Sequence, residues 1–82
     1  MTGKQKDFKY EIINHLGVLS EGSKGWQKEL NRVSWSGREP KYDIRDWDER
    51  HEKMGKGVTL TETELLKLRE LIETELVFLG EK

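Results

Sequence analysis

The stretch Lys56-Gly57-Val58-Thr59-Leu60-Thr61-Glu62-Thr63-Glu64-Leu65 contains the change of period on which the fold turns. In its first half Val58 and Leu60 face the same way between Gly57 and Thr59, the two-residue repeat of a short strand. In its second half Thr61 precedes Glu64 by three residues, the spacing at which a hydroxyl and a carboxylate satisfy the free amides of a helix start. Beyond it Leu65, Leu68, Ile72, Leu76 and Leu79 fall in one stripe at about 100° per residue, and Gly80 is a natural stop. A strand therefore gives way to a helix at Thr61, and the stripe predicts packing against one sheet face. Leu71 and Phe78 widen the apolar surface on one side, and Leu66 and Val77 on the other, so a single sheet face cannot cover it. The surplus predicts a partner helix, with Leu66, Leu71, Val77 and Phe78 at a dimer interface. The plainer alternative is that Leu66 and Val77 are isolated apolar side chains of an ordinary surface.

Upstream the chain reads as strands. Residues 8–19 are rich in aromatic and β-branched side chains and run into the turn composition Ser20-Glu21-Gly22-Ser23-Lys24-Gly25. Residues 26–35 form a second strand, closed by Ser36-Gly37-Arg38-Glu39-Pro40, a connection of hairpin length. Residues 41–47 alternate, with Tyr42 and Ile44 on one face and Asp43, Arg45 and Trp47 on the other. A polar run through Lys53 leads to the fourth strand, residues 56–60. The fold class is α+β, four strands followed by one C-terminal helix.

The 82 residues make one domain, with an ordered core expected over residues 8–79. The N-terminus lacks the apolar stretch of a secretion signal and no run approaches the ~20 residues that cross a bilayer, which predicts a cytoplasmic protein. With no Cys and two isolated His, disulfides, thiolate chemistry and a metal centre are not expected, and no cofactor is called for. A chain this short buries only ~60–65% of its unfolded surface, and this one has no Ala and 38% charged residues. A second copy is the commonest remedy, so a homodimer is expected on this ground too. The net charge of −1 is uneven: residues 1–60 carry +2 and residues 61–82 carry −3, so a polyanion should meet the first part of the chain.

Each of the three Trp stands among basic residues: Lys24 and Lys28 near Trp26, Arg32 and Arg38 near Trp35, Arg45 near Trp47. Unpaired bases offer flat faces to aromatic rings while Lys and Arg follow the phosphates, so this interleaving favours a single-stranded ligand over a duplex. The competing explanation is Trp as core mass with flanking cations reaching to water, and the pattern alone does not choose between them. Asp43, Asp46, Asp48 and Glu49 read as a solvated charge face neutralised by Arg45 and Arg50 rather than as an acid–base pair or magnesium site. His15 reads as a structural histidine and His51 as an exposed one. No serine has a nucleophile elbow around it, and Gly55-Lys56-Gly57 is too short for a phosphate loop. Nothing points to an enzyme.

The segments Val33-Ser34-Trp35-Ser36-Gly37, Tyr42-Asp43-Ile44-Arg45 and Lys56-Gly57-Val58-Thr59-Leu60-Thr61, in this order before a capped helix, resemble the single-stranded-DNA-binding domain of the transcriptional positive cofactor four family, most closely its bacterial YdbC-like members. The likeness covers about residues 10–79. It implies a curved antiparallel sheet followed by a long helix, paired through helices and sheet edges into a homodimer. It also implies a base-stacking role for Trp35, a second one for Trp47, and roles near the nucleic-acid backbone for Lys28, Arg45 and Lys56. The chain departs from the eukaryotic pattern at Ser36, in the Arg38-Glu39-Pro40 extension and in a longer first strand, which speaks against coactivation in the eukaryotic sense. The reading is a homodimer that binds single-stranded DNA with little sequence preference. Bases stack on Trp35 and on Trp47 or Trp26, while Lys24, Lys28, Arg32, Arg38, Lys41, Arg45 and Lys56 line the phosphate path. The alternatives are a dimeric protein-interaction module and a single-stranded RNA binder.

Overall fold

The structure, a computed structural model, describes residues 9–80. Four strands, β1 (Tyr10–Glu21), β2 (Gln27–Trp35), β3 (Lys41–Trp47) and β4 (Met54–Leu60), form one antiparallel sheet in the order β1-β2-β3-β4, and α1 (Glu62–Phe78) follows. The expected α+β class and its order of elements are observed. Phe8, the expected start of the first strand, lies outside the described residues, and β1 runs on to Glu21 instead of stopping at Leu19. The β4 strand begins at Met54 rather than Lys56, because Met54 pairs with Trp47 across an irregularity in the ladder.

The hairpin between β2 and β3 turns at Ser36 and Gly37, both at positive φ (54° and 75°), with Arg38 N–H donating to the Trp35 carbonyl at 2.9 Å. Glycine takes that conformation without steric penalty, which is why this pair ends the strand. At the helix start the Thr61 hydroxyl accepts from Glu64 N–H at 3.1 Å and the Glu64 carboxylate accepts from Thr61 N–H at 2.8 Å, the reciprocal cap expected from the sequence.

Two expectations about packing are corrected. The helix stripe does not settle on its own sheet. Among its residues only Leu65 and Leu68 are half-buried, while Ile72, Leu76 and Leu79 are 46%, 38% and 66% exposed. The sheet face bearing Asp43, Arg45 and Trp47 is not a solvated charge surface either. Its centre holds Val33 and Trp47, the fully buried apolar residues among those described, together with buried Glu29, Asn31 and Asp43. Charged groups tolerate burial only when paired and hydrogen-bonded, and each of these is. Among the described residues no helix is long and apolar enough to cross a membrane.

Candidate nucleic-acid interface

Trp35 ends β2 opposite Tyr10 of β1, and the two rings pack at a tilt of 48° with centroids 6.0 Å apart. The Arg45 guanidinium, reaching over from β3, lies 4.9 Å from the centre of the Trp35 ring, where the negative face of the indole attracts it. Arg45 is itself fixed. Its Nε and Nη2 donate to the two oxygens of Asp43 at 2.7 and 2.8 Å, and Nη1 donates to the Gly55 carbonyl at 3.3 Å. Asp43 accepts a further bond from the Thr59 hydroxyl at 3.0 Å. Gly57 makes the arrangement possible, because a Cβ there would fall on Arg45 Cβ and on the Ile44 carbonyl. Trp35, Ser36, Arg38, Arg45 and Thr59 line an open cleft of about 380 Å³. Its rim presents one aromatic ring and the exposed, donor-only guanidinium of Arg38.

Farther along the same face lies a second polar centre. The buried Glu29 carboxylate accepts from His51 Nε2 at 2.9 and 3.0 Å and from the Asn31 amide at 3.0 Å, and His15 Nδ1 lies 2.8 Å from Asn31 Oδ1. A carboxylate only accepts, and the Asn31 oxygen is turned to His15, so both imidazoles must carry a proton on the named nitrogen. His51 stands at φ 59°, its carbonyl accepts from the Tyr10 hydroxyl, and its ring covers Trp47 with a centroid distance of 5.6 Å. The loop that carries it is tied by Asp48, whose carboxylate accepts from the Glu52 and Lys53 amides at 2.8 Å each. The Lys53 amide first, with those of Glu52 and Arg50, holds the Asp48 carboxyl below its usual range. Burial, and then the charges of Asp48 and Glu52, push the Tyr10 phenol up, so it stays a donor at neutral pH.

These positions sort the residues expected from sequence. Trp35, Arg38 and Arg45 come together at one cleft. Trp47 is corrected: at 0% exposure, with the Tyr10 ring 5.2 Å away, it has no face left for a base. His51, expected to be exposed, is half-buried on Glu29. Trp26 is half-buried beyond the opposite end of β2, about 30 Å of strand away, in a mixed-charge hollow with Lys24, Arg50 and Lys53 beside Asp48, Glu49 and Glu52. Lys28 and Arg32 alternate to the other side of β2 from Trp35; Arg32 and Lys41 line a separate hollow with Tyr42 and the first turn of α1. Lys56 is exposed on β4. Leu66, Leu71, Val77 and Phe78 are 48%, 58%, 77% and 84% exposed on α1. Sequence reasoning missed Tyr10, Asp43 and Thr59. For Asp43 a signal existed, since a carboxylate two residues before an arginine on a strand shares its face.

Comparison with known proteins bears on this geometry. The model of the family described as Transcriptional Coactivator p15 (PC4) matches residues 22–71, more than half of the chain. The chain belongs to the PC4 family. The match takes in β2, β3, β4 and the first part of α1, so the PC4-family segment holds Trp35, Arg38, Asp43, Arg45 and Thr59, while Tyr10 lies outside it. An uncharacterized protein of Treponema pallidum (strain Nichols) is 50% identical over 68 residues, covering 83% of this chain and 80% of its own length. PC4-family domains bind single-stranded DNA, and membership gives this chain a nucleic-acid-binding, transcription-cofactor-like character.

Proposed function

We propose that the protein is a cytoplasmic homodimer that binds single-stranded DNA with little sequence preference, in which Trp35 receives a base and Arg38 meets the adjoining phosphate. The observation that carries the reading is the open cleft at Trp35, where an indole already backed by one guanidinium stands beside the exposed side chain of another. A stacked base gains ~1–3 kcal/mol and needs no particular sequence, because every base has a flat face. Trp26, half-buried at the far end of β2 beside Lys24, is the second candidate platform in place of Trp47, while Lys28 and Arg32 on the other side of β2, with Lys41 and Lys56, would be reached by a DNA strand that leaves the Trp35 cleft and wraps the sheet. Arg45 serves by holding the ring rather than by meeting a phosphate, since Asp43 and Gly55 take up its donors. The apolar side chains left bare on α1 support the pairing of two copies.

The test is a competition among oligo-dT, oligo-U and duplex for the purified protein, read by tryptophan fluorescence. Quenching by oligo-dT, with weaker competition from duplex, supports the reading. Equal or better competition by oligo-U makes RNA the ligand, and no quench with any of the three favours a protein partner. With ~4–6 phosphates neutralised, log affinity should fall with log salt at about −0.7 per phosphate. A flat salt titration refutes the phosphate path.

A further inference from the structure

We infer that Asp43, which has no surface of its own, is the positioning residue that sets Trp35 as a base platform, acting through the guanidinium of Arg45. The inference rests on the reading of Trp35 given above and adds a residue to that site. Asp43 is 0% exposed and cannot touch a ligand. Both of its oxygens are committed within the fold: Oδ1 to Arg45 Nε, and Oδ2 to Arg45 Nη2 and to the Thr59 hydroxyl. Two parallel bonds from one carboxylate fix the plane of a guanidinium as well as its position, which a point charge such as a lysine ammonium would not allow. The Gly55 carbonyl holds the remaining edge from β4, and the lack of a side chain at Gly57 leaves room for the Arg45 Cβ and the Ile44 carbonyl beside it. The plane so fixed lies against the Trp35 ring at 4.9 Å. Without the carboxylate, Arg45 keeps only the long bond to the Gly55 carbonyl and the attraction of the ring. Next to a polyanion it would turn outward to a phosphate, and the indole would lose the support that holds it ready for a base.

The sign of one substitution separates this role from a bystander charge. If Asp43 were only a negative group near the phosphate path, Asp43→Asn would strengthen binding by relieving repulsion. A positioning role requires Asp43→Asn to weaken oligo-dT binding, by about tenfold, a part of the value of one stack. It also requires the log-log salt plot to steepen by about 0.7, since the released Arg45 then neutralises one more phosphate. Arg45→Lys keeps the charge without the fork and should lose as much, and the double variant should lose no more than the worse single one, as two parts of one device do. A second readout needs no DNA: the near-UV circular dichroism assigned to Trp35 by comparison with Trp35→Phe should fall in Asp43→Asn. Unchanged or tighter binding by Asp43→Asn, additive losses, or an unaltered Trp35 signal would overturn the inference. If Asp43→Asn does not fold, Arg45→Lys carries the test through binding and the Trp35 signal, and wild-type behaviour in either refutes it. Failure of the parent reading looks different, because wild-type protein would then not bind oligo-dT while the Trp35 signal still responded to Asp43→Asn.

Discussion

Replacing Leu66 and Val77 together with glutamate should separate the two copies of the proposed dimer. Glutamate is a good helix former, so the change acts on association and not on α1 itself. Leu66 is 48% and Val77 is 77% exposed within one chain. Complete burial of such a side chain is worth about 1.5–3 kcal/mol, so covering the exposed share of both contributes about 2–4 kcal/mol per protomer. A two-fold interface counts this twice, about 4–7 kcal/mol, before any penalty for desolvating the new carboxylates. Those carboxylates would join a helix that already carries Glu62, Glu64, Glu70, Glu73 and Glu75, adding repulsion between copies. The dimer Kd should therefore rise by about three orders of magnitude or more. Sedimentation equilibrium across the micromolar range measures it. The pair Leu66→Ala and Val77→Ala removes apolar area without adding charge and should raise Kd by less. A dimer of unchanged Kd after both glutamates would move the interface off α1, and a wild-type chain that is monomeric yet stably folded would refute the reasoning from exposed area altogether.

Three further outcomes follow from the sites. Trp35→Ala should weaken oligo-dT binding by ~1–3 kcal/mol, read by titration at fixed salt, with the dimer still folded; unchanged affinity would make Trp35 a structural residue. Tyr10→Phe removes the donor to the His51 carbonyl and should lower stability to urea by about 0.5–1.5 kcal/mol. Because the Tyr10 phenol is raised in the folded state, its contribution is full below the unfolded value and lost as pH rises through the folded one, so the variant should flatten the alkaline end of the stability curve. Asp48 works with the opposite sign. Its depressed carboxyl stabilises the loop above the ordinary carboxylate range and ceases to do so as pH falls through the folded value, so Asp48→Asn should remove an acid-dependent step in the exchange of the Glu52 and Lys53 amides.

The elements that could be read from the sequence are those specified by near neighbours. The Thr61–Glu64 cap, the Ser36-Gly37 turn and the alternation of Tyr42 and Ile44 against Asp43, Arg45 and Trp47 each depend on residues a few positions apart. Trp35 was legible for the same reason, being a large ring at a strand end beside cations. What escaped depends on distant partners. Trp47 was misjudged because the groups that cover it, Tyr10 and His51, come from β1 and from the loop after β3, and no local pattern announces that they meet. Asp43 was placed on the correct face and then taken for solvated, because charge was read as exposure when the pairing with Arg45 had already removed the need for water. The helix stripe was real but was credited with a sheet face it reaches only through Leu65 and Leu68.

A small domain that, among its described residues, fully buries Glu29, Asn31 and Asp43 alongside Val33 and Trp47 as its buried apolar side chains gives up much of the hydrophobic stabilisation its size permits. The buried polar groups hold geometry instead: Asp43 fixes Arg45 against the Trp35 ring, and Glu29 fixes His51 beside Trp47. Internal pairing of those carboxylates also leaves the exposed Arg38 unneutralised by them. The acidic excess of α1, Glu62, Glu64, Glu70, Glu73 and Glu75 against Lys67 and Arg69, would repel a polyanion. The stability surrendered in the sheet must be recovered elsewhere, and among the described residues α1 exposes Leu66, Leu71, Ile72, Leu76, Val77 and Phe78, as β1 exposes Ile13, Leu16, Val18 and Leu19. A second copy covering them would make folding and pairing one equilibrium, so the melting temperature should climb with protein concentration. A melting temperature independent of concentration, in a range where dimer and monomer interconvert, would mean that the polar face supports the fold alone.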